Sequence, residues 1–165
     1  MTALRVPLWN QLNDPNPDGS QDPEQESDCG EECASMVLFA TTGVSTTEEQ
    51  VREAMGKPGS GTSNNQDIAA FLSSHDCPAV ALTPATGILK QLIRHEVGQN
   101  CPVIVLGAYV DPSIWHWVVA VDFGGGRVGI NDPWGGMRRY VPWTWFLERY
   151  RGEAVRVDHT VDRVA

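Results

Sequence analysis

The sequence predicts a single α+β domain over residues 1–165, in which N-terminal helices pack on a C-terminal antiparallel sheet. Apolar residues recur at helical spacing in several segments before residue 100. By contrast, β-branched residues separated by glycine turns fill residues 102–141. A chain of 165 residues, of which 41% are hydrophobic, can bury one sizeable core.

The first predicted helix begins at Cys29, where a long, polar, proline-rich loop over residues 13–28 ends. Its inward face repeats every three to four residues, and that face consists of Cys33, Met36, Val37 and Ala40. Gly43 is a suitable stop.

Three more helices are predicted before residue 100, two of them opened by capping boxes. The first has a capping box of Ser45 and Glu48, or of Thr46 and Glu49, and ends near Met55. The second is opened by Ser63 and Gln66, and the third covers residues 84–99. Residues 57–62, rich in glycine, serine and proline, are predicted to form a turn.

The predicted sheet consists of strands at residues 102–110, 115–122, 127–132 and 138–141. Residues 4–12 are predicted to be an extended segment, at the edge or the entry of the sheet. A short helix is expected over residues 143–150. The last residues, 157–165, are predicted to be a loosely held tail.

Charge and hydropathy exclude several classes of partner. The net charge is −9, which argues against a nucleic-acid partner or an anionic membrane surface. The apolar runs are too short to span a bilayer, and the N-terminus lacks the apolar core of a secretory signal. We therefore expect a cytoplasmic protein, or one released by a non-classical or phage-lysis route.

The cysteines are Cys29, Cys33, Cys77 and Cys101. Without a signal peptide a disulfide framework is not expected. Zinc sites favour close pairs of Cys or His, and Cys29 with Cys33 has no second pair to complete a site. The sequence therefore predicts neither a metal nor another cofactor.

Cys29 is the candidate nucleophile. A sulfur at a helix start lies near unpaired N–H groups and the positive end of the helix dipole, which favour a thiolate. Gly30 would let the backbone pack closely against whatever approaches the sulfur. The alternative is that Cys29 and Cys33 are small buried hydrophobic residues.

His116 and Asp132 are the candidate base and its orienting acid. His75, His95 and His159 occupy polar surroundings, whereas His116 opens an apolar strand. A hairpin centred near Gly124 places His116 opposite Asp132, Val118 opposite Ile130 and Ala120 opposite Val128. A carboxylate beside an imidazole fixes its tautomer and stabilises its charged form. A purely structural His–Asp pair is the alternative, and a register shift of one residue would separate the two side chains.

An oxyanion needs fixed donors, and the N–H of Cys29 can supply one. A side-chain amide can supply another, from Gln11, Gln21 or Gln25. Gln11 is favoured because it lies in the extended segment, whereas the other two lie in the loop.

Four motifs follow one another in the chain: VPLWNQ at residues 6–11, DCGxxCxxMVL at 28–38, HWVVAV at 116–121 and NDPWGG at 131–136. Together they resemble the papain-like cysteine peptidases of the bacteriocin-processing (double-glycine) type, and especially their stand-alone C39-like relatives. The resemblance implies a papain-like fold, with Cys29 as nucleophile, His116 as base, Asp132 as orienting acid and Gln11 as oxyanion glutamine. Residues 13–28 are longer than this segment usually is in that family.

The predicted function is a cysteine peptidase or amidase that acts on a peptide or protein through an acyl-enzyme. The substrate could be a leader peptide, a protein or a peptidoglycan cross-link, the last as in a bacterial or phage lysin. Two further readings stay open. The chain could be a papain-fold interaction module with an idle cysteine, or a transferase in which an amine replaces water.

Overall fold

A computed structural model describes residues 2–11, 28–57 and 63–164. Within these ranges the chain forms α1 (Cys29–Thr42), α2 (Glu48–Ala54), α3 (Asn65–Ser74), β1 (Ala79–Leu82), α4 (Thr86–Gly98), β2 (Val103–Gly107), β3 (His116–Gly124), β4 (Arg127–Asp132), β5 (Met137–Pro142), α5 (Trp143–Arg149) and β6 (Tyr150–Val157). The strands make one antiparallel sheet in the order β1-β6-β2-β3-β4-β5. The predicted α+β class is confirmed.

The core lies around β2 and β3. Every residue of β2 is buried, and so is β3 from His116 to Asp122. A strand buried at consecutive positions has both faces covered, and α1 and α4 both pack against β3. Gly107 is the last residue of β2, and the ring of Tyr109 folds back over it, so that a Cβ there would lie 2.3 Å from Tyr109 Cζ.

Helices and strands alternate more than the sequence indicates. The pattern predicts neither β1 nor β6, and β6 lies inside the sheet between β1 and β2. Two basic residues and a glutamate interrupt β6, whose burial is irregular, so its sequence lacks the alternation of a half-buried strand. Both predicted capping boxes are shifted: Thr47 pairs with Gln50 at α2, and Asn64 pairs with Asp67 at α3.

The prediction of a loosely held C-terminal tail is wrong for residues 158–164. Val161 is buried and its N–H donates to Asn100 O at 2.8 Å. Arg163 donates to Asn100 Oδ1 at 2.7 Å and to Val97 O at 2.6 Å, and it bridges to Leu4. These contacts join the C-terminal segment to the N-terminal segment and to the end of α4. The N-terminal segment forms one isolated β-bridge, at Leu4, rather than a strand.

Residues 12–27 and 58–62 lie outside the described residues, and with them most of the predicted loop over residues 13–28 and of the turn over residues 57–62. Within the described part of the chain, no helix is both long and apolar enough to cross a bilayer.

Candidate active site

Cys29 is the first residue of α1, as predicted, and Gly43 ends that helix with φ +76°. The first ten residues of α1 are all buried. The helix is therefore enclosed on every side at this end rather than amphipathic. The buried residues include three polar ones, namely Glu31, Glu32 and Ser35.

A buried ion pair holds the start of α1. The carboxylate of Asp28, immediately before Cys29, accepts hydrogen bonds from Arg52 Nη1 at 3.1 and 3.2 Å. Asp28 O also accepts the N–H of Glu32 at 2.9 Å, as the first intrahelical bond. Arg52 lies on α2, so this ion pair joins α2 to the start of α1, next to Cys29.

β3 passes directly over this helix start. The N–H of Trp117 lies 3.4 Å from Cys29 Sγ, and the Trp117 indole N–H donates to Ser63 O at 3.3 Å. A Cβ on Gly30 would lie 2.0 Å from Ser63 Oγ and 3.0 Å from Trp117 Cδ1. Glycine leaves room for this close approach, because a larger residue would displace the Ser63 hydroxyl and crowd the Trp117 ring. Because Trp117 follows His116, the same approach brings the His116 backbone beside the sulfur.

The Cys29 thiol is not activated by its place at a helix start. Burial raises the pKa of Cys29 to about 12; N–H donation from Trp117 and Gly30 lowers it, while the nearby Glu31 and Asp28 raise it. Burial also raises the pKa of Glu31 to about 7, with a further increase from Asp28. The expectation that the helix terminus favours a thiolate is therefore wrong for this structure, because desolvation outweighs the helix dipole.

His116 and Asp132 form a buried hydrogen-bonded pair. His116 Nε2 lies 2.6 Å from Asp132 Oδ1, and the two residues are 1% and 2% exposed. Since a carboxylate oxygen only accepts, Nε2 carries the proton and Nδ1 is the other nitrogen of the ring. Asp132 Oδ1 also accepts the N–H of Trp134 at 2.9 Å, and Oδ2 accepts Nη2 of Arg139.

The predicted hairpin register is wrong, although the pair survives. Ala120 lies opposite Ile130 rather than Val128, and the strands turn through Gly125 and Gly126. A bulge between Ala120 and Asp122 shifts the pairing by one residue.

That bulge decides which way Asp132 points. Without it, the pairing at the turn would continue and set Asp132 opposite Val119, whose side chain points away from His116. With it, continuing the register by one residue beyond the Val119–Asn131 pair sets Asp132 opposite Val118, on the His116 face and diagonal to His116. β-Bulges are common beside active sites because they redirect side chains.

Gln11 is fully buried, and its N–H donates to Pro133 O at 3.1 Å. The neighbouring Asn10 Oδ1 accepts the N–H of Gly135 at 3.2 Å. The segment that carries Gln11 is therefore docked on the turn that follows Asp132. Gln21 and Gln25, the alternative oxyanion donors, lie outside the described residues.

Arg139, Arg52 and Glu31 are site residues that the sequence reasoning missed. A correct β4–β5 register would have indicated Arg139, because it sets Arg139 opposite Ile130 and diagonal to Asp132. No local pattern indicates Arg52 or the burial of Glu31. In residues 2–11, 28–57 and 63–164, no group of three or more His, Cys, Asp or Glu side chains is arranged to hold a metal ion.

A cysteine at the start of a central helix, with a histidine and an acid on adjacent antiparallel strands, is the arrangement of the papain-like cysteine peptidase fold. The sequence matches the model of the Peptidase_C39 like family over residues 3–154, and the chain belongs to that family.

Solved structures agree on the fold. The chain is similar to a double glycine motif protease from an AMS/PCAT transporter, solved in complex with the leader peptide (21% identity, 97% of this chain and 99% of that chain, TM-score 0.66). It is also similar to the peptidase domain of Streptococcus ComA, a bi-functional ABC transporter (15% identity, 93% of this chain and 98% of that chain, TM-score 0.69). A third similar structure is described as a C39-like peptidase from Bacillus anthracis (17% identity, 98% of this chain and 100% of that chain, TM-score 0.70). A search of curated proteins found no significant match.

Proposed function

We propose that the protein is a cysteine peptidase that hydrolyses peptide bonds, with Cys29 as nucleophile, His116 as base and Asp132 as the acid that orients His116. One observation carries the proposal: the end of β3 that bears His116 touches Cys29 Sγ through the Trp117 N–H, while His116 Nε2 bonds Asp132 at 2.6 Å. Nδ1 is then the nitrogen that serves the thiol.

The reaction begins from a neutral thiol, because the pKa of Cys29 is raised to about 12. His116 Nδ1 takes the S–H proton as the sulfur attacks the carbonyl carbon of the scissile bond. The imidazolium, steadied by Asp132, gives that proton to the leaving amine as the C–N bond breaks. His116 then takes a proton from a water molecule, which attacks the thioester carbon. As the C–S bond breaks, the imidazolium returns that proton to the sulfur, and the carboxylic acid and the Cys29 thiol are released.

The oxyanion of each tetrahedral intermediate would be held by two donors. One is the N–H of Cys29 at the start of α1, and the other is the side-chain amide of Gln11. In support, the Gln11 backbone is fixed to Pro133, immediately beyond Asp132. A fixed donor is what electrostatic stabilisation of a developing charge requires.

The substrate proposed is a peptide or protein rather than a small amide. The double glycine motif protease that this chain resembles was solved with a leader peptide. A leader peptide cleaved after two small residues is therefore the first candidate. A peptidoglycan cross-link is the other candidate, and cleavage of purified cell wall tests it directly.

The test is cleavage of a peptide library by the full chain and by Cys29→Ala, with Cys101→Ala as the matched control. Cys101 is a free cysteine on the connection that precedes β2, outside the site. We expect Cys29→Ala to lower kcat/KM by at least about a thousandfold, and Cys101→Ala to leave it unchanged. Activity that survives in Cys29→Ala would refute the proposal.

A second candidate is an interaction module whose cysteine is idle. It is favoured by the burial of Cys29, which is 5% exposed, and by the raised pKa of its thiol. The rate at which iodoacetamide alkylates Cys29 distinguishes a peptidase from an interaction module. A base-assisted thiol reacts more slowly in His116→Ala, whereas an idle buried thiol reacts equally slowly in both proteins and no amide is turned over.

A further inference from the structure

Arg139 on β5 connects the acid of the site with the segment that leads to its base. Its Nη2 donates to Asp132 Oδ2 and also to Tyr109 O, the latter at 3.3 Å. Tyr109 lies in the connection between β2 and β3, and that connection ends at His116. A single guanidinium therefore joins β4, β5 and the approach to β3.

The sheet register explains why Arg139 reaches this position. Met137 lies opposite Asp132 and Arg139 lies opposite Ile130. Side chains two residues apart share a face, so Arg139 is the diagonal neighbour of Asp132 on the His116 side of the sheet. The guanidinium also lies 5.9 Å from the centre of the Trp145 ring, which Arg149 contacts at 4.4 Å.

Arg139 provides the second oxygen of the Asp132 carboxylate with a hydrogen-bond donor. Both His116 and Trp134 donate to Oδ1. Among the described residues, Arg139 is the only donor to Oδ2. A buried carboxylate oxygen without a donor is costly. The positive charge of Arg139 also opposes the protonation of an imidazole bonded to the same carboxylate.

We propose that Arg139 is a positioning residue for this reaction: it holds the Asp132 carboxylate and the segment before His116 in one arrangement, and its positive charge opposes protonation of the His116 ring. The expected effect of Arg139 on the rate of peptide cleavage rests on the proposed function. Its expected effect on the protonation of His116 does not depend on that function.

The other charged and titratable groups in this region lie on α1, immediately before α1, and on α2. Cys29, Cys33, Glu31 and Glu32 lie on α1, Asp28 precedes that helix, and Arg52 lies on α2 beside Asp28. Arg52 is bonded to Asp28, so among the described residues Arg139 is the Lys or Arg side chain bonded directly to the His116–Asp132 pair.

The test compares Arg139→Gln and Arg139→Lys with Arg149→Gln as the matched control. Arg149 contacts the same Trp145 ring and has no hydrogen bond to Asp132 among the described residues. Two readouts are used: the pH profile of kcat/KM, and the NMR titration of the His116 imidazole, assigned by its loss in His116→Gln. While the protein stays folded, a loss of stability alone does not move the midpoint of the His116 imidazole.

For Arg139→Gln we expect the acid limb of the profile and the imidazole midpoint to move together to higher pH, by about one unit. For Arg139→Lys, which keeps the charge but not the planar fork, we expect the midpoint to stay in place and kcat to fall several-fold. Arg149→Gln should match the wild type in both.

Three results would overturn the inference: unchanged midpoint and profile in Arg139→Gln, the same shifts in Arg149→Gln, or wild-type kcat in Arg139→Lys. Should Arg139→Gln not fold, Arg139→Lys decides the positioning role by its kcat. A shifted imidazole midpoint in a protein that cleaves no peptide would keep the effect on His116 protonation and refute the proposed function instead.

Discussion

The two halves of the candidate site are built in opposite ways. The half on the sheet consists of His116, Asp132 and Arg139, and the Asp132 carboxylate accepts hydrogen bonds from the other two. The half on α1 places Cys29 between Asp28 and Glu31, two buried carboxyl groups that both raise the pKa of the thiol. One half is an ordered network of hydrogen bonds, and the other is a buried sulfur in a negative environment.

The contrast shows which effect controls the nucleophile. A helix terminus stabilises a charge by about 0.3–1 kcal/mol, and by about 2 kcal/mol in favourable sites. Raising the pKa of Cys29 from 9.0 to about 12 corresponds to about 4 kcal/mol against the thiolate. Burial therefore dominates, and ionisation of the sulfur depends on the base supplied by the other half.

The largest effect is expected in the sheet half, from Asp132→Asn. The amide cannot both accept from His116 and pair with the charge of Arg139, so the ring loses its tautomer and orientation. We expect kcat to fall about 10³–10⁴-fold, measured on the peptide that wild type cleaves best. Asp122→Asn is the control, because Asp122 is an equally buried carboxylate of the same sheet, bonded by Phe123 N–H and Tyr140 OH. A similar loss in Asp122→Asn would mean that sheet integrity, not the triad, was measured.

On the α1 half, Arg52→Met removes the cation from the buried Asp28 carboxylate. Breaking one side of a buried ion pair costs about 3–5 kcal/mol, and we expect the free energy of unfolding to fall by that amount in urea. The comparison is Arg156→Met, because Arg156 pairs with Asp158 at the surface, where the expected loss is below about 1 kcal/mol. Equal losses of unfolding free energy in the two variants would contradict the assignment of Arg52 and Asp28 as a buried pair that stabilises the fold.

Glu31→Gln should make the α1 half more stable, in a pH-dependent way. The pKa of Glu31 is raised from 4.5 to about 7, so between these values the folded protein keeps a proton that the unfolded chain has released. Wild-type stability therefore falls as pH rises through this window, whereas that of Glu31→Gln does not.

The gap between the two proteins should be near zero below pH 4.5 and reach about 3 kcal/mol above pH 7. Urea unfolding at several pH values measures it, and Glu49→Gln on the exposed side of α2 is the control. Alkylation of Cys29 by iodoacetamide should also be faster in Glu31→Gln above pH 7, because the charge of Glu31 raises the pKa of that thiol. A gap independent of pH would show that Glu31 does not titrate in this range.

The smallest effect is expected where the two halves meet. Gly30→Ala places a Cβ against Ser63 Oγ and the Trp117 ring, and overpacking of this kind costs about 1–3 kcal/mol. Gly30→Ala combined with Ser63→Gly should recover part of the loss. Gly87→Ala, at a helical position with nothing within 4 Å, should not destabilise the protein. If Gly30→Ala behaves like Gly87→Ala, the close approach of β3 and α1 is not required.

Local sequence signals predicted the elements that carry the site. A polar loop, a run of apolar residues and Gly43 set the bounds of α1, and β-branched runs between glycine turns set β2, β3 and β4. These signals are local because capping, turn geometry and side-chain periodicity act over a few residues. The order of motifs from Gln11 to Asp132 likewise needed no coordinates.

The tertiary structure alone decided the chemistry of those elements. The bulge between Ala120 and Asp122 sets the face on which Asp132 lies, β6 enters the sheet without a sequence pattern, and Arg139 reaches Asp132 through the β4–β5 register. Desolvation of Cys29 is the sum of everything packed around it. Register and burial arise from contacts between residues far apart in the chain, so no short stretch of sequence contains them.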